Sequence, residues 1–202
     1  MLGPSLATVI LAAGKGTRMQ SPLPKALQSL SGKPLLSYLL GTVFELKSHR
    51  ILIIVGYGAS QVQEAFINEA GLEFVEQKPQ LGTGHAIMQS RESLENFEGK
   101  VLVLCGDMPF IRASTLKSMI DQHHQNKPAC TLLTLKTNEP RDFGRILRNQ
   151  VGKISGIVES KDATEQQKTI DEYNAGVYCF DKMLLFQAVD RLENRNAQSE
   201  YY

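Results

Sequence analysis

The sequence predicts an α/β fold: a Rossmann-like, mostly parallel sheet with helices on both faces. Short, almost continuously apolar runs alternate with amphipathic segments through the first half of the chain, a pattern typical of parallel strands joined by crossover helices. The 202 residues are enough for one well-filled core. Because no repeat, low-complexity tract or linker divides them, we expect a single domain over residues 1–202.

The first half supplies the strands and helices of this sheet in strict alternation. The predicted strands are Thr8–Ala13, Ile51–Val55, Leu72–Glu76 and Val101–Cys105. The predicted helices are Pro34–Lys47, Ser60–Ala70, Thr83–Leu94 and Thr115–Gln125. Ligands of such sheets bind outside the carboxyl ends of the strands. Since Gly14-Lys15-Gly16 and Gly106-Asp107 each follow a strand end, we expect both loops to face one crevice.

The second half has shorter elements. The predicted strands Cys130–Lys136, Arg145–Arg148 and Lys153–Glu159 include a hairpin, because Asn149-Gln150-Val151-Gly152 is a turn signal. We expect this hairpin to cover one side of the crevice. The later elements are a short helix Asp162–Lys168 with Asp162 as its N-cap, a strand Tyr173–Phe180 and a helix Lys182–Leu192.

Composition excludes several classes of function. The net charge is +1 and 21% of residues are charged, so neither a nucleic-acid surface nor an acidic tail is indicated. The N-terminal apolar run is too short for a membrane span and lacks the cationic start of a signal peptide. We therefore expect a cytoplasmic protein with no nucleic-acid or membrane partner. The three cysteines lie in apolar runs without metal-ligand spacing, so we expect buried free thiols.

The segment from Thr8 to Lys25 indicates phosphate binding. Its apolar run ends in Gly14-Lys15-Gly16-Thr17-Arg18, and Lys25 follows Pro22 and Pro24. Glycine lets backbone N–H groups approach a phosphate, and nearby cations complement its charge. The third glycine of the dinucleotide fingerprint is missing, and the P-loop spacing does not match. The pattern favours a nucleoside triphosphate, although an ordinary strand-to-helix turn would also explain Gly-x-Gly alone.

The motif L-A-A-G-K-G-T-R-M followed by L-P-K resembles the signature of sugar-phosphate nucleotidyltransferases. Further matches narrow the resemblance; they are L-G-T-G-H-A (Leu81 to Ala86), G-D (Gly106-Asp107), F-G-R-I (Phe143 to Ile146), I-V-E-x-K-D-A (Ile157 to Ala163) and N-A-G (Asn174 to Gly176). In this order they resemble the N-terminal uridylyltransferase domain of the bacterial N-acetylglucosamine-1-phosphate uridylyltransferases, the GlmU family. The likeness continues through N-A-Q-S-E-Y-Y.

The resemblance implies a fold of the nucleotide-diphospho-sugar transferase type and a Mg²⁺-dependent reaction. UMP would pass from UTP to N-acetylglucosamine 1-phosphate, giving UDP-N-acetylglucosamine, a peptidoglycan precursor, and pyrophosphate. The family's β-helix acyltransferase domain is not in this chain, and we expect the catalytic domain to be truncated at its C-terminal end. Oligomers are expected only if a β-helix domain exists in the full protein. A relative using another nucleotide or sugar phosphate, or a non-catalytic nucleotide-sugar-binding domain, are the alternatives.

The catalytic candidates are Arg18, Lys25 and Asp107. A phosphate nucleophile is already ionised near neutral pH, so the site needs cations and alignment rather than a general base. The resemblance implies that Lys25 contacts the nucleotide phosphates and Arg18 supports the pyrophosphate leaving group. A carboxylate at a strand end, as at Asp107, suits Mg²⁺. The alternative interpretations are solvated surface cations and a loop-capping aspartate, and Lys15 is the less certain cation.

The resemblance also implies substrate contacts. Gln77, Gly82 and Thr83 would read the uracil, since an amide has both a donor and an acceptor. Gly144, Glu159 and Asn174 would line the sugar pocket. The remaining nucleotide contacts would be Leu11, Ala12, Ala13, Gly14 and Gly106.

Five further positions carry no assigned chemistry. Cys105 stands where the family often has tyrosine, next to the metal-binding candidate. We expect His85 to be structural. His123-His124 should form an exposed helix end and His49 should lie in an exposed loop.

Overall fold

A computed structural model of the chain describes residues 5–196 and 198–201, apart from the side chain of Arg18. Its strands are β1 (Leu6–Ala12), β2 (Ser29–Leu30), β3 (Lys33–Pro34), β4 (Arg50–Val55), β5 (Leu72–Glu76), β6 (Lys100–Cys105), β7 (Cys130–Lys136), β8 (Arg145–Arg148), β9 (Ile154–Val158) and β10 (Glu172–Asp181). Its α-helices are α1 (Leu35–Phe44), α2 (Ala59–Ala65), α3 (Thr83–Gln89), α4 (Ala113–Asn126), α5 (Glu165–Lys168) and α6 (Lys182–Val189). Short 3₁₀ turns cover Thr17–Met19 and Lys25–Leu27.

The main sheet has a parallel half and an antiparallel half. Strands β5, β4, β1 and β6 lie side by side and parallel, as their apolar sequences predict. β10 then pairs antiparallel with β6, and it also pairs with β7 and, at Tyr173, with β8. β8 and β9 form the predicted hairpin around the Asn149 turn, in which Gly152 N donates to Asn149 O at 2.9 Å. The α/β prediction is therefore confirmed.

The parallel strands carry one apolar cluster on each face. Neighbouring residues of a strand alternate between the two clusters, as Val9 and Ile10 do on β1. One cluster includes Leu36 of α1 and Leu116 of α4, whereas the other includes Leu185 of α6. Helices thus cover both faces, and the carboxyl edge of the strands is left for loops.

Several boundaries and caps differ from the sequence prediction. α2 and α3 end at Ala65 and Gln89, because their amphipathic patterns continue into turns rather than into further helix. Asp162 is not the N-cap of α5. Thr164 takes that position with a reciprocal capping box: Gln167 N donates to Thr164 Oγ1 at 3.2 Å and Thr164 N donates to Gln167 Oε1 at 2.9 Å.

The prediction of an exposed His123 is wrong. Its side chain is fully buried where α4 packs on β7, and its Nδ1 lies 2.9 Å from Thr131 Oγ1. Helical periodicity explains the error, because His123 lies on the same face of α4 as Leu116 and Met119, which are also buried. His49 is exposed, as expected.

The cysteines are free thiols, as predicted. Cys179 is buried, while Cys105 and Cys130 are half-buried rather than buried.

None of the helices in the described part of the chain combines the length and apolar character that crossing a membrane requires.

Candidate active site

Two loops meet at the carboxyl edge of the parallel sheet, as the sequence predicts. Leu11 at the end of β1 is paired with Cys105 at the end of β6, and Gly106 N donates to Leu11 O at 2.9 Å. A Cβ at Gly106 would lie only 3.1 Å from Ala12 Cβ. The missing side chain therefore lets the 106–107 loop lie directly against β1, which brings Asp107 beside the glycine-rich loop.

A cavity of about 340 Å³ opens at this edge, and we call it the strand-end cavity. Its lining combines the glycine-rich loop, the 3₁₀ turn at Lys25, the β5–α3 loop and the end of β6. The lining residues are Leu11, Ala12, Ala13, Gly14, Lys25, Ala26, Gln77, Gln80, Gly82, Thr83, Ala86, Cys105, Asp107 and Glu200. The nucleotide contacts implied by the resemblance line this cavity, apart from Gly106, which is not in the lining, and Arg18, whose side chain lies outside the described residues.

Lys25 and Asp107 form an ion pair in the strand-end cavity, with side chains 41% and 33% exposed. Gly16 leaves room for Lys25: its backbone is left-handed (φ +68°), and a Cβ there would lie 2.9 Å from Lys25 Cβ. Partly exposed ion pairs stabilise a fold only modestly. Both charges are therefore available to a ligand that offers each a better partner.

Of the other two candidate cations, the structure describes the side chain of Lys15 but not that of Arg18. Lys15 lies outside the lining, with its Nζ 5.2 Å from the centre of the Tyr57 ring. The Arg18 side chain lies outside the described residues, so its predicted role stays a prediction.

Hydrogen bonds fix the orientation of the Gln77 side-chain amide. It is 2% exposed, and its Nε2 donates to Gly82 O at 2.9 Å and lies 3.0 Å from His85 Nδ1. As acceptor, His85 Nδ1 requires the tautomer that carries its proton on Nε2. His85 thus has the structural role expected of it, and it supports a wall of the cavity.

The segment 198–201 docks on the β5–α3 loop, and its Glu200 lines the strand-end cavity. Tyr201 N donates to Leu81 O at 2.8 Å, and Gly84 N donates to Tyr201 O at 2.8 Å. Gly82, which precedes α3, has φ +101°, and a Cβ there would lie 2.5 Å from Tyr201 O. The glycines of the L-G-T-G-H-A motif are thus needed for this docking, and Gly82 is the N-cap of α3.

A second cavity of about 790 Å³, which we call the hairpin cavity, lies between the β8–β9 hairpin, β10 and α6. Apolar side chains such as Val103, Leu185 and Val189 line one part of it, and Glu159, Asn174 and Tyr178 supply polar groups. It shares four lining residues with the strand-end cavity: Leu11, Thr83, Cys105 and Glu200. The two cavities are therefore adjacent compartments of one crevice.

Glu159 is half-buried in the hairpin cavity. Burial, and then the charges of Asp162 and Asp142, raise the pKa of its carboxyl, which the Arg145 guanidinium partly offsets. Gly144 allows the close approach of β8, since a Cβ there would lie 2.8 Å from Glu159 Oε1. Gly144 lies behind Glu159 rather than in the lining.

Asn174 is fixed by three hydrogen bonds at the start of β10. Its backbone N donates to Gly144 O at 2.7 Å, its Nδ2 donates to Tyr178 Oη at 2.6 Å, and its Oδ1 accepts from Gly176 N at 3.0 Å. The two predicted sugar contacts Glu159 and Asn174 thus line one cavity, and Gly144 connects them.

Sequence reasoning did not predict Gln80, Tyr178 or Glu200 as lining residues. Glu200 lies in the N-A-Q-S-E-Y-Y stretch that carries part of the resemblance, which was the available signal. Tyr178 gave none, because a tyrosine in an apolar strand is typical of ordinary core packing.

The donor set for a metal ion is sparse in the described residues: no group of three or more His, Cys, Asp or Glu side chains is placed to hold one. The Asp107 carboxylate lines the strand-end cavity beside Lys25. Mg²⁺ usually binds one or two carboxylates, several waters and substrate phosphates, so the Asp107 carboxylate fits that ion.

Comparison with known proteins agrees with the motifs. A family model described as a MobA-like NTP transferase domain matches residues 8–194. The chain is 45% identical over 194 residues to the bifunctional protein GlmU of Geobacillus thermodenitrificans (strain NG80-2). This match covers 96% of the chain and 42% of that protein. The bifunctional protein GlmU of Geobacter sulfurreducens is 43% identical over 198 residues, covering 98% of the chain and 42% of the relative. The chain therefore spans less than half the length of these relatives, and the resemblance to the GlmU family is confirmed.

A solved structure shares the fold. A UDP-glucose pyrophosphorylase complexed with UDP-glucose superposes with a TM-score of 0.75 at 18% sequence identity, over 96% of this chain and 82% of the other.

Proposed function

Since this chain belongs to the family of MobA-like NTP transferase domains, we propose that it transfers UMP from UTP to N-acetylglucosamine 1-phosphate. The products are UDP-N-acetylglucosamine and pyrophosphate. The observation that carries the proposal is the pair of adjacent cavities, one with Lys25 and Asp107 and the other with Glu159 and Asn174. A nucleotide and a sugar phosphate bound in them would meet at the shared wall.

The reaction joins two anions and releases a third. A phosphate oxygen of the sugar phosphate attacks the α-phosphorus of UTP, and the bond from that phosphorus to the pyrophosphate oxygen breaks. At about 4 Å, two unit charges repel by roughly 1 kcal/mol in water and about 4 kcal/mol in a partly shielded site. The nucleophile needs no general base, so the site acts by binding, alignment and charge compensation.

Lys25 supplies positive charge in the strand-end cavity. When a triphosphate binds, the ammonium group of Lys25 exchanges Asp107 for phosphate oxygens that carry several negative charges. The exchange frees the Asp107 carboxylate to hold Mg²⁺, which, when bound, would neutralise phosphate charge. Arg18 supports the pyrophosphate on the strength of the resemblance alone.

The base is recognised by Gln77 and the β5–α3 loop. Gly82 O and His85 Nδ1 take both N–H groups of the Gln77 amide, so its Oε1 is left to accept from the imide N–H of uracil, whereas the corresponding ring nitrogen of cytosine carries no proton. In the hairpin cavity, Glu159 accepts hydrogen bonds from sugar hydroxyls and Asn174 contacts the N-acetylated part.

Pyrophosphate release from a panel of four nucleoside triphosphates and several sugar 1-phosphates tests the proposal. We expect UTP to be preferred over CTP, ATP and GTP, and N-acetylglucosamine 1-phosphate over glucose 1-phosphate, because a site built to hydrogen-bond a group rejects analogues that lack it. Equal turnover with CTP would remove the uracil assignment, and preference for glucose 1-phosphate would remove the sugar assignment.

A second function, a domain that binds nucleotide sugars without making them, is favoured by the sparse metal-ligand set of the described residues, in which no three His, Cys, Asp or Glu side chains are placed to hold an ion. Calorimetry with UDP-N-acetylglucosamine separates the two. Tight binding without pyrophosphate release at any Mg²⁺ concentration would support the binding domain.

A further inference from the structure

β10 contains a bulge that faces the hairpin cavity. The register of its pairing with β7 shifts between Asn174 and Tyr178. The intervening Gly176 has a left-handed backbone, with φ +70°. Because the bulge shortens the distance between Asn174 and Tyr178, their side chains can meet across it.

Three contacts fix the bulge. Asn174 Oδ1 accepts from Gly176 N at 3.0 Å, and Asn174 Nδ2 donates to Tyr178 Oη at 2.6 Å. From the other side, Cys105 Sγ lies 3.6 Å from Gly176 O, as the donor of a weak hydrogen bond. Asn174, Gly176, Tyr178 and Cys105 all line the hairpin cavity.

These contacts define what Asn174 offers a ligand. A carboxamide has two N–H donors and two acceptor lone pairs, and exchange of its ends by a 180° rotation reverses donor and acceptor. Gly176 N is only a donor, so it holds Oδ1 on its side. Tyr178 Oη holds Nδ2, and one N–H and one lone pair are left for the cavity in a defined orientation.

We propose that Tyr178 is a positioning residue for the sugar phosphate, which holds the Asn174 carboxamide in the orientation that recognises the N-acetylated sugar. This inference rests on the proposed function and deepens it. Burial raises the pKa of Tyr178 to about 12, so the hydroxyl keeps its proton at physiological pH. Its ring is stacked on Phe180, at 5.7 Å between centroids, which restricts its movement.

Tyr178→Phe removes the hydroxyl and keeps the ring. We expect the KM for N-acetylglucosamine 1-phosphate to rise about 5–10-fold, the range for loss of one hydrogen bond. The KM for UTP should stay within about twofold, because the strand-end cavity is unchanged. Tyr38→Phe is the matched control: it removes the hydrogen bond from Tyr38 Oη to Leu30 O, 2.7 Å long and outside both cavity linings.

A double-mutant cycle separates positioning from direct contact. In an Asn174→Ala background, Tyr178→Phe should change the KM for the sugar phosphate by less than about twofold, because the group it positions is gone. Multiplying factors would mean that Tyr178 binds the sugar by itself and would overturn the proposal, as would equal increases in both KM values.

A measurement without substrate keeps the two proposals distinguishable. Hydrogen exchange of the Asn174 side-chain amide, followed by NMR, should accelerate in Tyr178→Phe and not in Tyr38→Phe; unchanged exchange would overturn the positioning role. If the wild-type chain prefers another sugar phosphate, the proposed function fails, and the same KM comparison is made with the preferred one. If it releases no pyrophosphate, dissociation constants for UDP-N-acetylglucosamine replace the KM values, and absence of binding overturns both proposals.

Discussion

At the scale of single residues, the ion pair between Lys25 and Asp107 has the clearest chemical consequence. Each side chain is about one-third to two-fifths exposed, and each is the counterion of the other. A bound nucleotide would offer Lys25 several phosphate charges in place of one carboxylate. The pair therefore keeps two reactive charges in position without stabilising the fold strongly.

Lys25→Ala should lower kcat/KM about 10²–10³-fold, because it removes charge stabilisation of roughly 2–4 kcal/mol from the transferring phosphates. The fold should be unchanged, since the side chain is half-exposed, and circular dichroism checks this. Lys33→Ala, which removes an exposed cation on β3, is the control. Near-normal kinetics for Lys25→Ala would make it an ordinary surface cation.

Asp107→Asn should abolish most activity and shift the remainder to higher Mg²⁺. An amide oxygen lacks the charge that offsets dehydration of the ion. The measurement is a Mg²⁺ titration of the initial rate, with the exposed Asp121→Asn of α4 as control. Coinciding titrations for Asp107→Asn and the wild-type chain would remove the metal role.

His123 makes folding stability dependent on pH. Burial, and then the charge of Lys100, lower the pKa of its imidazole, whereas Asp181 raises it and His124 lowers it further. Below pH about 6.5 the unfolded chain therefore binds a proton more readily than the folded chain does. The free energy of unfolding consequently decreases as the pH is lowered. We expect the free energy of unfolding to decrease between pH 7 and pH 5 by at most about 1.4 kcal/mol per pH unit from this group.

Urea unfolding at several pH values tests this effect. His123→Gln cannot titrate, so its stability should change less between pH 7 and pH 5 than that of the wild-type chain. Parallel profiles for the two proteins would show that His123 does not cause the pH dependence.

At the scale of helices and strands, the sequence predicts the parallel strands closely, because an apolar run bounded by polar residues is visible in one dimension. β5 matches its predicted range, as does the antiparallel strand β7, and β1 begins at Leu6 rather than Thr8. Helix ends are harder to predict, since an amphipathic pattern also continues through turns. The β2–β3 hairpin was missed although Ser31-Gly32, both at positive φ, is a turn signal.

Gly82→Ala tests the docking of segment 198–201 on the β5–α3 loop. The new Cβ would meet the backbone of Tyr201, which cannot move aside as a flexible side chain could. The Gly82 backbone, at φ 101° and ψ 176°, is a conformation that side-chain-bearing residues rarely adopt, which costs about 1–3 kcal/mol by itself, so we expect a larger loss of stability than this together with weaker UTP binding. Gly71→Ala, at φ +80° with open space around the new Cβ, is the control for a positive-φ backbone without a steric contact.

Thermal unfolding and UTP titration of both variants give the comparison. Equal losses in Gly71→Ala and Gly82→Ala would show that the contact with Tyr201 contributes nothing.

At the scale of the whole molecule, the crevice joins distant parts of the chain, and this limited what sequence could predict. The strand-end loops were predictable because parallel strands end at one edge. The wall that Glu200 contributes to both cavities was not, because no periodicity shows where a segment without regular structure will dock. Likewise, nothing in the apolar pattern of Tyr173–Phe180 indicates that β10 pairs with three strands.

The central position of β10 has a consequence for the chain during its synthesis. β6 offers one edge to β1, which has already been made, and the other to β10, which follows only after residues 106–171 have been added. On the ribosome, the apolar β6 therefore carries an exposed edge of unpaired N–H and C=O groups, which is a template for pairing with other chains. In the folded chain β7 pairs with β10 and not with β6. Pairing with β10 thus covers an edge of β6 that is open to aggregation only during synthesis.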